Sequence, residues 1–186
     1  LINIAVDYYK NRDDVRAKFL SYYYQGRIYT NANNLTQATL AYMEAEQLVD
    51  ELGDDYAAGL LYKQIGLVYK SYYDFPKSLQ AHLQAIECFT KANKPIHKIQ
   101  AQLTLSSIYR NLNEKENSYK VLQNALMESH NLNNQGLVKS CISNLILVSI
   151  DLEKWEEATQ WYQEYQKNNG RDYPTIAFYG YIARLH

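Results

Sequence analysis

A register of forty residues runs through the chain and constrains its fold more than any other feature. Gly26 and Gly66 stand forty residues apart, and the small residue Ser106 follows forty later. Three positions after each comes a tyrosine: Tyr29, Tyr69 and Tyr109. Twelve positions after each comes a small residue (Ala38, Ser78, Ser118), and nineteen after each an alanine (Ala45, Ala85, Ala125). A fourth copy keeps step through Ala158 and Tyr162, the latter answering Tyr42. With 19 tyrosines in 186 residues a single match would mean little, but several residue classes share this one period.

The spacing reads as helix. Tyr62, Ile65, Gly66 and Tyr69 fall at i, i+3, i+4 and i+7 and line one helical face. Glycine inside a helix costs roughly 1 kcal/mol relative to alanine. Its recurrence therefore predicts a partner helix lying too close for a side chain, with Ala38, Ser78, Ser118 and Ala158 at the crossing. Only three prolines and seven glycines punctuate the chain. They fall, with Asn and Asp, where helices would stop and start: Asn33-Asn34, Asp74 before Pro76, and Asn113 within pairs. Gly53-Asp54-Asp55, Asn93-Lys94-Pro95, Asn133-Asn134 and Asn168-Asn169-Gly170 separate one pair from the next. The predicted helices are 14–31, 35–52, 55–72, 75–92, 95–112, 115–131, 134–151, 155–168 and 173–186.

These residues resemble the tetratricopeptide repeat family, in which a large residue, Gly and Tyr are followed by spaced small, aromatic and small positions. The first copy reads Tyr22, Gly26, Tyr29, Ala38, Tyr42, Ala45, and the second Tyr62, Ile65, Gly66, Tyr69, Ser78, His82, Ala85. The third reads Leu105, Ser106, Tyr109, Ser118, Leu122, Ala125. The resemblance implies an all-α superhelix, a right-handed solenoid of antiparallel helix pairs with about nine helices. Its period of forty exceeds the family's usual thirty-four and is similar to variants in bacterial peptide-sensing regulators, membrane-linked regulators and some eukaryotic scaffolds, so the length alone selects no partner. The fourth copy departs further, with Ile146 for glycine, Ser149 for tyrosine and Tyr165 for alanine. One array is expected over 1–186, with repeats at 14–52, 55–92, 95–131 and 134–168. Residues 1–10 are expected to end an earlier repeat, because Ala5 keeps the alanine register. Residues 173–186 are expected to start a later one, with Ile182 and Leu185 answering Tyr62 and Ile65. The chain then reads as part of a longer protein.

Composition narrows the chemistry. Apolar residues at 47% and charged residues at 21% give a globular balance, and a net charge of −1 supplies no footprint for nucleic acid. The longest apolar run, Leu145–Ile150, is interrupted by Ser149 and too short to span a membrane. Cys88 and Cys141 read as small buried hydrophobes. No two of His82, His97, His130 and His186 pair at metal spacing, and no phosphate loop appears, so neither catalysis, metal nor cofactor is expected. His82 sits in the slot of Tyr42 and Leu122 and should pack. His97 and His130 should be solvated or capping. Asn34-Leu35-Thr36 matches a glycosylation acceptor, but an inter-helix turn favours Asn anyway.

In members of the family the other face of each first helix lines a concave groove. Here that face carries Tyr23, Arg27 and Thr30, then Lys63, Leu67 and Lys70, then Leu103, Ser107 and Arg110, then Ser143, Leu147 and Ile150. Asn31, Gln64, Asn111 and Asn144 flank it. The expected partner-binding set is Tyr23, Arg27, Asn31, Lys63, Gln64, Lys70, Arg110, Asn111 and Asn144. Four cations against Asp151 favour a protein or peptide with acidic groups or a free carboxylate. The Lys and Asn arrangement that clamps a chaperone's terminal carboxylate is not reproduced, since Leu67 and Thr104 stand where amides are needed. Plentiful Asn, Tyr, Lys and Ile give a composition like that of low-GC bacterial proteins. The reading is a sensing or scaffolding module of a larger bacterial regulator. The alternative is a structural spacer or self-association module, and homo-oligomers are compatible with either.

Overall fold

The turns show most plainly how this sequence sets its architecture. The computed structural model describes residues 2–169. Within them a residue of positive φ recurs every twenty positions: Asn33, Gly53, Tyr73, Asn93, Asn113, Asn133 and Glu153. Except at Gly53, the closure has one form. The Asn33 N–H donates to Thr30 O at 3.0 Å and the Asn34 N–H to Tyr29 O at 2.8 Å, and the pair recurs in each later turn. A left-handed residue thus satisfies carbonyls that the helix end would leave bare. The next helix starts immediately. Side-chain oxygens of Asp14, Asn34, Asp54, Asp74 and Asn134 accept from the backbone N–H three residues on, at 2.9 to 3.3 Å.

Asn and Gly tolerate the left-handed region; tyrosine and glutamate do so at a cost. Tyr73→Asn and Glu153→Asn are each expected to stabilise the chain by about 0.5 kcal/mol, read as a raised urea midpoint. Tyr73 is 80% exposed, so little packing is lost with it.

Ten helices and no strand occupy the described residues. They are α1 (Ile2–Tyr9), α2 (Val15–Asn31), α3 (Leu35–Glu46), α4 (Val49–Leu52) and α5 (Asp55–Ser71), followed by α6 (Phe75–Lys91), α7 (Pro95–Asn111), α8 (Lys115–Asn131), α9 (Gln135–Asp151) and α10 (Trp155–Asn169). The fold is all-α. Residues 173–186, expected as a further helix, lie outside the described residues, as do Gly170 and His186. The chain forms two compact units, Leu1–Ala101 and Gln102–His186, divided within α7.

In the first unit α2 packs on α3, α5 on both α3 and α6, and α1 on α2. One core cluster holds Phe19, Tyr23, Ala38, Tyr42, Ala45, Leu61 and Val68, and another Ala85, Phe89 and Ala101. Each buried leucine, valine or phenylalanine contributes about 1.5–3 kcal/mol. The register glycines serve flat rings rather than the small residues alone. A Cβ on Gly26 would overlap the Tyr42 ring, and one on Gly66 the His82 ring. Ser78 completes the second crossing by donating its hydroxyl to Gly66 O at 2.8 Å.

One expected helix is broken. The stretch 35–52 comes as α3 and α4, with Gln47 and Leu48 between them. In the second pair Phe89 fills the space over Gly59, where a Cβ would lie 2.7 Å from its ring. One register earlier Phe19 stands in place of Gly59 and is itself buried at 2% exposure. Its ring takes the volume from the first helix, so the second helix yields there, and Leu48, Val49 and Leu52 pack around the cluster.

In the second unit α9 packs on α8 and α10. Leu122, Ala125, Cys141, Ile142, Leu145 and Val148 are buried there. The third crossing replaces glycine with a hydrogen bond, the Ser106 and Ser118 hydroxyls standing 2.8 Å apart. Leu122 fills the ring slot at this crossing, and a side chain at Ser106 fits. In the degenerate fourth copy Ile146 and Ala158 are both buried.

Candidate functional site

The nine expected partner-binding residues divide between the units, and the structure treats them differently. Tyr23 lies in the core at 6% exposure, its ring 6.1 Å from Phe19 and stacked on it. Burial pushes its hydroxyl up, and Arg27 acts against that. Tyr23 is therefore a floor under the face, not a free side chain upon it. Arg27, exposed one turn later on α2, holds its guanidinium carbon 5.9 Å from the Tyr23 ring centroid and 5.8 Å from that of Tyr24. Asn31 closes α2 at the surface, and Gln64 and Lys70 are half-buried on α5.

Lys63 is half-buried on α5. Burial, and then the Arg27 charge, lowers its ammonium below the ordinary lysine range. Two like charges from separate helices thus share one partly desolvated surface.

In the second unit the cation is already matched. Arg110 Nε lies 2.5 Å from Asp151 Oδ2, with each side chain 30% exposed. Asp151 also anchors Lys115, whose ammonium donates to its carbonyl at 2.8 Å. The four expected cations are therefore not four unpaired ones: the charge of Arg110 is spent within its own unit. The amides of Asn111 and Asn144 fold back onto their helix, donating to Ser107 O at 2.6 Å and to Ser140 O at 2.8 Å.

Three residues beside Arg27 and Lys63 escape an inspection of the first-helix face alone. Tyr56 stands two turns before Lys63 on the same side of α5, its hydroxyl 3.2 Å from His97 Nε2. His97 is not a solvated helix-start residue: its ring sits 5.2 Å from Tyr56 and 5.4 Å from Phe89. Burial, then Lys63 and Lys94, disfavours its protonated form. Lys94, in the turn before α7, lies with its ammonium 5.1 Å over the Tyr56 ring. The missed signal was present in the sequence. Position 94 belongs to the series 14, 34, 54, 74, 94, 114, 134 and 154, which carries Asp or Asn except for Lys94, Glu114 and Lys154.

His82 is fully buried, as a packing residue should be. Cys88 and Cys141 are free thiols pushed up by burial, which weakens either as a nucleophile. The described residues contain no cluster of three metal-ligating side chains. No helix among them is long and apolar enough to cross a membrane.

No family model matches the chain. No curated protein matches it either. Among solved structures it is similar to BtubC (BKLC) from P. vanneervenii, with TM-score 0.80 and 14% identity over 94% of this chain and 72% of that one. It is also similar to a signal transduction ATPase with numerous domains that carries a tetratricopeptide repeat sensor, from Pyrococcus horikoshii. There the TM-score is 0.78 and the identity 18%, over 88% of this chain but 25% of that one. A third is the Rap conjugation gene regulator of the plasmid pLS20 in complex with the Phr* peptide, with TM-score 0.65 and 18% identity over 83% of this chain and 43% of that one. The chain thus spans a quarter of the second protein and under half of the third. At these identities the likeness speaks to architecture, and the fold is of the tetratricopeptide-repeat type.

Proposed function

We propose that this chain is a non-catalytic module that binds a protein or peptide, acting as the sensing or scaffolding region of a larger bacterial regulatory protein. The observation that carries the reading is the face of α2 and α5, where Arg27 and the half-buried Lys63 repel one another over an aromatic floor. Placing like charges together in partial burial costs stability, and an arriving segment of opposite charge would offset that cost. Support also comes from similar folds, one described as a repeat sensor and another solved in complex with a peptide. Gln64, Lys70 and Asn31 would supply further polar contacts along this face of the first unit.

The test is selection from a displayed random-peptide library, followed by fluorescence anisotropy with the selected peptide. The double variant Arg27→Glu/Lys63→Glu is expected to weaken binding at least tenfold, about 1.4 kcal/mol. Unchanged affinity would sink the assignment of this face.

A second reading, a spacer that self-associates, is favoured by one observation. Ile28 is 48% exposed, whereas Val68, Ile108 and Val148 at the same register are buried at 2% or less. Leu20 and Tyr24 extend this apolar stripe along α2, at 37% and 48% exposure. Mass that grows with concentration in light scattering, and falls on Ile28→Lys, would support the spacer; a constant monomer would remove it.

A further inference from the structure

The seam between α3 and α5 holds a cleft on the side of α5 turned away from Lys63. Ile65 and Tyr69 follow Lys63 by two and six residues, rotations of about 200° and 240° around the helix. They line the cleft with Tyr42, Met43 and Val68, and Glu46 is the charged residue among its walls. Thr39 lines it too, its hydroxyl donated to Leu35 O at 2.9 Å. The volume is about 20 Å³, which suits one water or one ammonium group and is too small for a planar guanidinium.

Glu46 fits its place badly in three respects. At its register the chain has the aliphatic Val6, Ile86 and Leu126, all buried or half-buried, and Gln166 in the degenerate fourth copy. It ends α3, where a negative charge opposes the helix dipole. Its carboxylate has no hydrogen-bond or ion-pair partner among the described residues. The residue is exposed overall, yet the protein around its carboxyl raises that group by burial. Lys77, whose ammonium lies 5.3 Å from the Tyr69 ring centroid, is held by Asp74 at 3.1 Å and does not reach Glu46. Beside the cleft, Leu40 and Met43 are 52% and 51% exposed. The later pairs have Gln80, Lys120 and Gln160 at the register of Leu40, so this apolar rim belongs to the first pair.

We propose that the cleft is a second docking surface, which takes a lysine side chain of a partner segment whose neighbouring residues are apolar. Charge complementarity makes the occupant a cation, and the volume makes that cation an ammonium. The ammonium meets the Glu46 carboxylate and the negative end of α3, while the methylene stem lies along Met43 and Tyr69. Apolar residues on either side of the lysine cover Leu40 and Met43. The surface is independent of the Arg27 and Lys63 face, which calls for a segment of the opposite charge.

The chain has two methionines, Met43 at the cleft and the exposed Met127 in the second unit. Carbon-13 labelling of the methionine methyl groups therefore gives the whole chain one reporter and one internal control by NMR. The probe is the peptide acetyl-Ala-Leu-Lys-Leu-Ala-amide, titrated into the millimolar range at constant ionic strength. Its counterparts with norleucine or arginine in place of lysine are titrated alongside. A saturable shift at Met43 but not at Met127 is expected, with both counterparts bound about threefold or more weakly. Glu46→Gln should bring the lysine peptide down to the norleucine level. Glu46→Ile installs the residue of the next pair, so it should raise the melting midpoint by about 2–4 °C while removing the preference for lysine. Equal binding by either counterpart, a lysine response that survives Glu46→Gln, or equal shifts at the two methyl groups overturns the proposal. A lowered midpoint in Glu46→Ile overturns it as well, because the glutamate would then serve the fold.

Discussion

Gly66→Leu is expected to destabilise the first unit by about 3 kcal/mol, seen as a lower urea midpoint by circular dichroism. The first added carbon already overlaps the His82 ring. That ring cannot swing aside. Its Nδ1–H donates to Ser78 O at 2.9 Å, and the Ser78 hydroxyl donates to Gly66 O at 2.8 Å, so both helices grip it. Moving the ring would break a buried hydrogen bond, and moving the helices would open the core on either side. Gly136→Ala is the matched control: its Cβ would meet only Asn134 Oδ1, at 3.5 Å. It should stay within about 0.5 kcal/mol of the parent. Truncating the ring as well, in Gly66→Leu/His82→Ala, should recover part of the loss, because the two positions are coupled through contact. If Gly66→Leu melted where the parent does, the crossing described here would be wrong.

The second large effect is acid sensitivity. His82 is 0% exposed, and its Nε2 is buried without a hydrogen-bond partner. Protonation would place an N–H and a charge where nothing accepts either. Burial is the main cause of the lowered pKa; the hydrogen bond to Ser78 O opposes it, and Lys70 and Lys63 add to it. The folded chain therefore binds this proton less readily than the unfolded chain. The contribution to stability is complete above the ordinary histidine value near 6.5 and is lost as pH falls through it toward the folded value. The steepest loss one such group can cause is about 1.4 kcal/mol per pH unit. His82→Tyr should flatten the dependence of melting midpoint on pH between 7.5 and 5.0. Tyrosine is the natural choice because Tyr42 already occupies the equivalent slot across Gly26. A residual slope should remain from His97, which burial also depresses. If the variant lost stability with acid as steeply as the parent, the orphaned imidazole would not be the cause.

These two crossings were legible in the sequence because glycine, tyrosine and alanine each hold the forty-residue register with little variation. Other features were hidden for physical reasons. The left-handed turn residues share a backbone angle but not a side-chain type, so Tyr73 and Glu153 look unlike Asn33. The break in the second helix depends on whether Phe19 or Phe89 fills one volume, a choice that no single helix records. Electrostatic partners were the least visible. Arg110 meets Asp151, and Tyr56 meets His97, each forty-one residues along. One repeat plus one position is a regular spacing, but only folded helices show that it brings side chains together. The first-helix face alone shows four cations, of which Arg110 is matched to an acid, and it omits Lys94, which stands in a turn.

The twenty-residue beat of the turns has a consequence for how such a chain changes length. Each helix ends by satisfying its own carbonyls, and most begin on an oxygen supplied from the same turn. A piece cut from one turn to the next carries its backbone bonding with it and leaves none of its neighbours' bonding undone. Copying or deleting two successive pieces shifts the rest of the polypeptide by one whole period, and every ring returns opposite its glycine.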